Sequence, residues 1–108
     1  MTKRLTIALD FNGVLNSNPT LFRLLIKSLD ADFEVLSISN YNIKEQVKQL
    51  GFHDIPVYTL PMKGYAKMSR QKFDLCEMTN ADILIDDMKE VVDYINKHST
   101  NTRAIKWH

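Results

Sequence analysis

Apolar and polar positions along the chain fall into blocks of two alternating periods. Leu5 to Leu9 (LTIAL) is a short apolar run that stops at Asp10, the pattern of a strand buried on both faces. Leu21, Phe22, Leu25, Ile26 and Leu29 then recur at helical spacing. They follow Asn18-Pro19, an N-cap residue type before a proline at the first helical position. Phe33 to Ser39 (FEVLSIS) reads as a second strand, with β-branched and aromatic content. Asn42 and Glu45 have capping-box spacing and open a helix carrying Ile43, Val47 and Leu50, with Gly51 as its C-cap. Ile55 to Leu60 contains Pro56 and is closed by Pro61, which predicts a short peripheral strand. Ser69 is the expected cap of a third helix bearing Lys72, Phe73, Leu75 and Cys76. Ala81 to Ile85 (ADILI) is another buried-strand run and ends on Asp86-Asp87. Met88, Val91, Val92 and Ile95 predict a fourth helix, and Arg103 to Trp107 a closing strand.

Strands alternating with helices in this way imply an α/β fold in three layers, a Rossmann-like parallel sheet of about five strands with helices on both faces. Crossovers of one hand bring the carboxyl ends of the strands to a common edge, and ligands of open α/β sheets bind outside that edge. Here three strands end in Asp10, Ser39 and Asp86-Asp87.

A chain of 108 residues, 44% hydrophobic and 25% charged, suits one globular domain over 1–108. A net charge of +1 supplies no global field towards nucleic acid or an anionic membrane. The lone Cys76 excludes an internal disulfide and suits a reducing compartment. No apolar run has the length of a membrane span, and MTKRL passes straight into a strand pattern rather than a signal peptide. The expected location is cytoplasmic.

Asp10 meets Phe11-Asn12-Gly13, where glycine permits a tight turn, and its carboxylate can serve as nucleophile, metal ligand or both. Asp86-Asp87 is a second acidic cluster; one of the pair can cap the following helix, but capping does not need both. Carboxylates brought together from separate strands repel unless a cation or proton intervenes, and Mg²⁺ takes such oxygen ligands readily. Ser39 and Asn40 can donate hydrogen bonds to a phosphoryl oxygen, though each is also an ordinary strand terminus. Lys72 is read as lying in the first turn of the third helix, where a solvated lysine is the usual case.

At this point LDFNGVL (Leu9 to Leu15), SISN (Ser37 to Asn40), Lys72 and ADILIDD together resemble, in order, the four motifs of the haloacid dehalogenase-like (HAD-like) superfamily. The resemblance spans nearly the whole chain. It implies a Mg²⁺-dependent phosphohydrolase or phosphotransferase in which Asp10 forms an aspartyl-phosphate. It further implies Mg²⁺ on Asp10, the Asn12 carbonyl and Asp86, with Asp87 as a further ligand or orienting group. Ser39 and Lys72 would hold the phosphoryl oxygens, with Lys67 as the alternative lysine and Asn40, by its residue type, as a further donor.

Two departures matter. The usual hydrolytic member has an aspartate where this chain has Asn12, and losing a positioned acid–base group costs about 10²–10⁴-fold. The intervals Asp10–Ser39 and Ser39–Lys72 leave no room for a cap domain, which implies an open site. Such a site suits a phosphorylated substrate, small or macromolecular, or cover by a second copy of the chain. Both departures also suit an alternative, a catalytically reduced module that binds a phosphorylated ligand or a protein partner. A phospho-acceptor receiver domain places its acidic pair after the first strand, so the order here is wrong for it. Lys63, Lys67, Arg70 and Lys72 form a modest basic stretch with no nucleic-acid recognition motif. Cys76 reads as packing; His53, His98 and His108 lack zinc-ligand spacing; Trp107 fits either the sheet edge or a contact surface.

Overall fold

In a computed structural model, which describes residues 4–107, the apolar runs become the strands β1 (Thr6–Leu9), β2 (Asp32–Ile38), β3 (Val57–Leu60), β4 (Ile83–Asp86) and β5 (Arg103–Lys106). The helices between them are α1 (Pro19–Ser28), α2 (Ile43–Gln49), α3 (Tyr65–Thr79) and α4 (Lys89–His98). The first three residues of the MTKRL start and His108 lie outside the described residues. All strand pairs are parallel and the order is β3-β2-β1-β4-β5. The fold is therefore the expected three-layer, Rossmann-like α/β sheet. No cap interrupts it: only α1 separates the turn after β1 from β2, and only α2 and β3 separate β2 from α3. No helix among the described residues is long and apolar enough to cross a membrane.

Strand alternation sends two sets of side chains to opposite faces. Ile7, Leu9, Phe33 and Val35 pack with Phe22 of α1 and Ile43 and Val47 of α2. Ala8, Leu36, Ile38 and Leu84 pack with Leu75 and Cys76 of α3 and Val91, Val92 and Ile95 of α4. Each fully buried side chain of leucine size contributes about 1.5–3 kcal/mol relative to exposure. Trp107 joins the first core, its ring 5.1 Å from that of Phe22, and its indole N–H donates to Ser17 Oγ at 3.1 Å. It thus ties the end of the chain to the loop after β1.

Local chemistry sets most of the boundaries. The Asn18 side chain accepts the Leu21 N–H at 3.2 Å and that of Asn42 accepts the Glu45 N–H at 3.2 Å, as N-caps should. Gly51, at φ +95°, ends α2 as expected. The third helix departs from expectation. It begins at Tyr65, after Gly64 at φ +105°, and not at Ser69, which lies inside it. Its first turn is solvent-facing and has no capping side chain, so no apolar stripe marks the start. Lys72 is consequently in mid-helix rather than in the first turn.

The chain runs outward from β1 through β2 to β3, then returns to place β4 on the other side of β1. The reversal opens a crevice at the carboxyl ends of β1 and β4, the switch point at which open α/β sheets bind ligands.

Candidate functional site

Ala8 of β1 and Leu84 of β4 are partners across the parallel register, and both belong to the core beneath α3 and α4. Two residues further along each strand stand Asp10 and Asp86. The period of two therefore aims both carboxylates at the same face, side by side. The Asp10 N–H donates to the Ile85 carbonyl at 3.0 Å, so strand pairing holds the backbone up to the carboxylate itself.

Above them passes α3. Met68, Lys72, Leu75 and Cys76 share one helical face, and Lys72 is thereby buried, with only 3% of its side chain exposed. Its Nζ donates to Asp10 Oδ1 at 2.7 Å and to Asp86 Oδ2 at 2.8 Å. The other Asp86 oxygen accepts the Met88 N–H at 2.9 Å, which fixes the carboxylate and the chain direction into α4. The acidic pair divides its work: Asp86 is buried and bound on both oxygens, while Asp87 is half-buried beside Gly13.

Asn12 and Gly13 have the dihedrals of a type II turn, φ −70°, ψ 127° followed by φ 79°, ψ −6°. The second position demands glycine on backbone grounds. It also demands glycine on steric grounds, because a β-carbon there would collide with the Asp87 carboxylate. The Asn12 side chain is at the exposed rim, where its oxygen accepts from Asn16 Nδ2 at 3.4 Å.

Burial is the main reason that the Asp10 carboxyl is pushed up from 3.8 to about 6. The Lys72 charge pulls it down, while the charges of Asp86 and Asp87 push it up again. Burial disfavours the charge on Lys72, yet the Asp10 and Asp86 carboxylates outweigh it and raise the ammonium above its ordinary value. With all three aspartates ionised, one ammonium faces three negative charges. Asp10, Asp86 and Asp87 each offer an oxygen within 4.8 Å of the others, a hard-oxygen cluster that can hold a metal ion.

These residues line a cleft of about 210 Å³. Much of the remaining lining is apolar, formed by Ile38, Met62, Tyr65, Met68, Met88 and Val91. Of the residues expected at the site, Asp10, Asn12, Lys72, Asp86 and Asp87 meet here. Ser39 and Asn40 stand at the same sheet edge but do not line the cleft. Ser39 Oγ accepts the Tyr41 N–H at 3.0 Å and keeps its hydroxyl proton uncommitted, while Asn40 Oδ1 accepts the Met62 N–H at 3.1 Å. Ser37, buried and on the cleft wall, was missed in the sequence; its signal was its place two residues before the strand-end serine. Lys63 and Lys67 are exposed, and Arg70 is turned to Asp74 and the Phe73 ring. The basic stretch is thus divided, with Lys72 alone delivered to the carboxylates. Cys76 is buried and its thiol is pushed up to about 12, chiefly by burial, so it packs rather than reacts. Comparison with models of protein families, with curated proteins and with solved structures returned no match.

Proposed function

We propose that the chain is a Mg²⁺-dependent phosphohydrolase or phosphotransferase of the HAD-like type, acting through an aspartyl-phosphate at Asp10. One observation carries this reading: Asp10 and Asp86 lie side by side on the central strands and share the buried ammonium of Lys72. A structural ion pair needs one carboxylate; two on a single lysine with a third close by, lining a cleft, hold a charge imbalance that a ligand can relieve.

The roles follow from the contacts. Asp10 Oδ1 is engaged by Lys72, which leaves Oδ2 to attack phosphorus. Lys72 holds the nucleophile in place and offsets the charge of the incoming phosphoryl group. The free hydroxyl proton of Ser39 is the donor at this edge suited to a phosphoryl oxygen, with the Asn40 amide beside it. Asp10, Asp86, Asp87 and the Asn12 carbonyl would hold Mg²⁺, which when bound neutralises phosphoryl charge and keeps Asp10 ionised. With Asn12 in place of an acid, no side chain at that position passes a proton to the leaving oxygen. The substrate is a phosphorylated molecule that enters an uncapped site. The second reading, a module that binds phosphate or a partner with little turnover, is favoured by Asn12.

Hydrolysis of an aryl phosphate in the presence of Mg²⁺ tests the reading. Asp10→Asn is expected to reduce turnover by about 10⁴-fold or more. Asn12→Asp should raise turnover of alkyl phosphates by about tenfold or more. Equal rates for the wild type and Asp10→Asn would reject the nucleophile. A rise in melting temperature with Mg²⁺ and phosphate, without turnover, would select the binding module.

A further inference from the structure

We infer that the site takes a phosphate monoester whose ester oxygen is carried by an aromatic ring. This rests on the phosphotransfer reading above and adds what lies beyond the phosphoryl group. Two observations at the cleft, one of packing and one of proton supply, lead to the same class.

The first is the lining of the cleft. Beside its charged residues stand Ile38, Met62, Tyr65, Met68, Met88 and Val91, contributed by β2, the loop after β3, α3 and α4 with its entry. Three of the five methionines of the chain are in this lining. Tyr65 is 78% exposed and Met62 43% exposed, so both present apolar surface to whatever occupies the cleft. Thioethers pack favourably on aromatic rings, and a tyrosine ring accepts another in offset or edge contact. A sugar or polyol would meet few partners there. The Asn40 oxygen is already taken by the Met62 N–H, and besides the charged residues and Asn12 the lining offers the Tyr65 hydroxyl and that of the buried Ser37.

The second is Asn12, at the rim of the same cleft. Its amide cannot supply a proton, so the leaving oxygen must depart as an anion. A phenol titrates near 10, roughly like tyrosine, whereas an alkanol titrates far higher, roughly like water. The phenolate therefore leaves unaided and the alkoxide does not. In the balanced step, Asp10 Oδ2 bonds to phosphorus as the bond from phosphorus to the aryl oxygen breaks. The electron pair departs on the phenolate, which takes its proton from solvent. Water then attacks the same phosphorus, the Asp10–phosphorus bond breaks, the carboxylate is restored, and the proton of the water passes to solvent. Packing selects the ring and leaving-group chemistry selects its acidity.

Calorimetric titration with phenyl-, cyclohexyl- and methylphosphonate in Mg²⁺ buffer tests this, since none of the three can be hydrolysed. Phenylphosphonate is expected to bind about tenfold tighter than methylphosphonate and about threefold or more tighter than cyclohexylphosphonate. In Tyr65→Ala and Met62→Ala the ratio of phenyl to methyl affinity should fall towards one; both residues are exposed enough for the fold to tolerate the change. Equal binding of all three, or of the phenyl and cyclohexyl ligands, overturns the aromatic class while leaving the phosphate site standing. Binding of none rejects the phosphate site and this inference together.

Discussion

Arg4 and Lys72 are each held between two aspartates, at opposite ends of one sheet. Arg4 precedes β1 and reaches Asp30 and, at 3.1 Å, Asp32, with half of its side chain in water and Asp30 90% exposed. Lys72 reaches Asp10 and Asp86 from the buried stripe of α3, and all three are largely withdrawn from solvent. The charges and their signs are the same. What differs is the dielectric around them. At the amino end, water screens the pairing and two side chains give up freedom to make it, so the net gain is small. At the carboxyl end each charge has lost its water and depends on the others. Counting ion pairs would rank the two ends equal. Burial separates them, and it marks the carboxyl end as the place where the fold maintains charge at a cost.

Replacing the two cations by methionine tests this most directly. Lys72→Met leaves Asp10 and Asp86 buried without their counter-charge and should destabilise the protein by about 3–5 kcal/mol. The measurement is the urea midpoint, compared at equal slope. Millimolar Mg²⁺ is expected to recover part of the loss, because a cation on the same oxygens replaces the missing charge. A loss below about 1 kcal/mol would make the two ends equivalent and end the distinction.

A smaller effect comes from proton linkage. Asp10 titrates at about 6 in the folded chain against 3.8 as a free side chain, with burial as the leading cause. Between those values the folded state holds a proton that the unfolded state has released. Stability therefore falls as pH rises from about 4 to about 6, by on the order of 2–3 kcal/mol in the absence of divalent cation. Melting temperatures at pH 4.5, 5.5 and 6.5 read the slope, and Asp10→Asn should flatten it. A wild type whose stability instead rose across this window would mean that the Lys72 charge, and not burial, governs the Asp10 carboxyl.

How much of this was legible in the sequence follows from the range of each interaction. The asparagine caps at Asn18 and Asn42 act over three residues, so residue types at fixed spacing sufficed to place them. The strand runs of β1 and β4 were equally plain, since each is mainly apolar up to an aspartate, Asp10 just after β1 and Asp86 at the end of β4. The start of α3 was not, because a glycine at positive φ and an exposed first turn carry no periodic signal. Nor was the burial of Lys72. A lysine on a helix is ordinarily solvated, and its partners lie 62 and 14 residues away. Met68, Lys72, Leu75 and Cys76 do share a helical face, which puts a lysine inside an apolar stripe. Ser39 was legible as a strand end, but the direction of its hydroxyl was not, since the Tyr41 N–H that claims it depends on the turn after β2.

The smallest expected effect is at the other end of the sheet, and it closes the comparison. Arg4→Met removes the contacts to Asp30 and Asp32 and the bond from Arg4 Nη2 to the Ala31 carbonyl at 3.0 Å. All of these groups remain open to water, so none is left buried and unpaired, and the change should stay within about 1 kcal/mol. Salt supplies the sharper measurement. At 1 M ionic strength the screening length is about 3 Å, close to the Arg4–Asp32 separation, and the difference between the wild type and Arg4→Met should shrink towards zero. The penalty of Lys72→Met should persist under the same salt, because ions cannot enter between buried partners. A salt-insensitive Arg4 effect, or a Lys72 effect that salt abolishes, would show that the two triads share one environment after all.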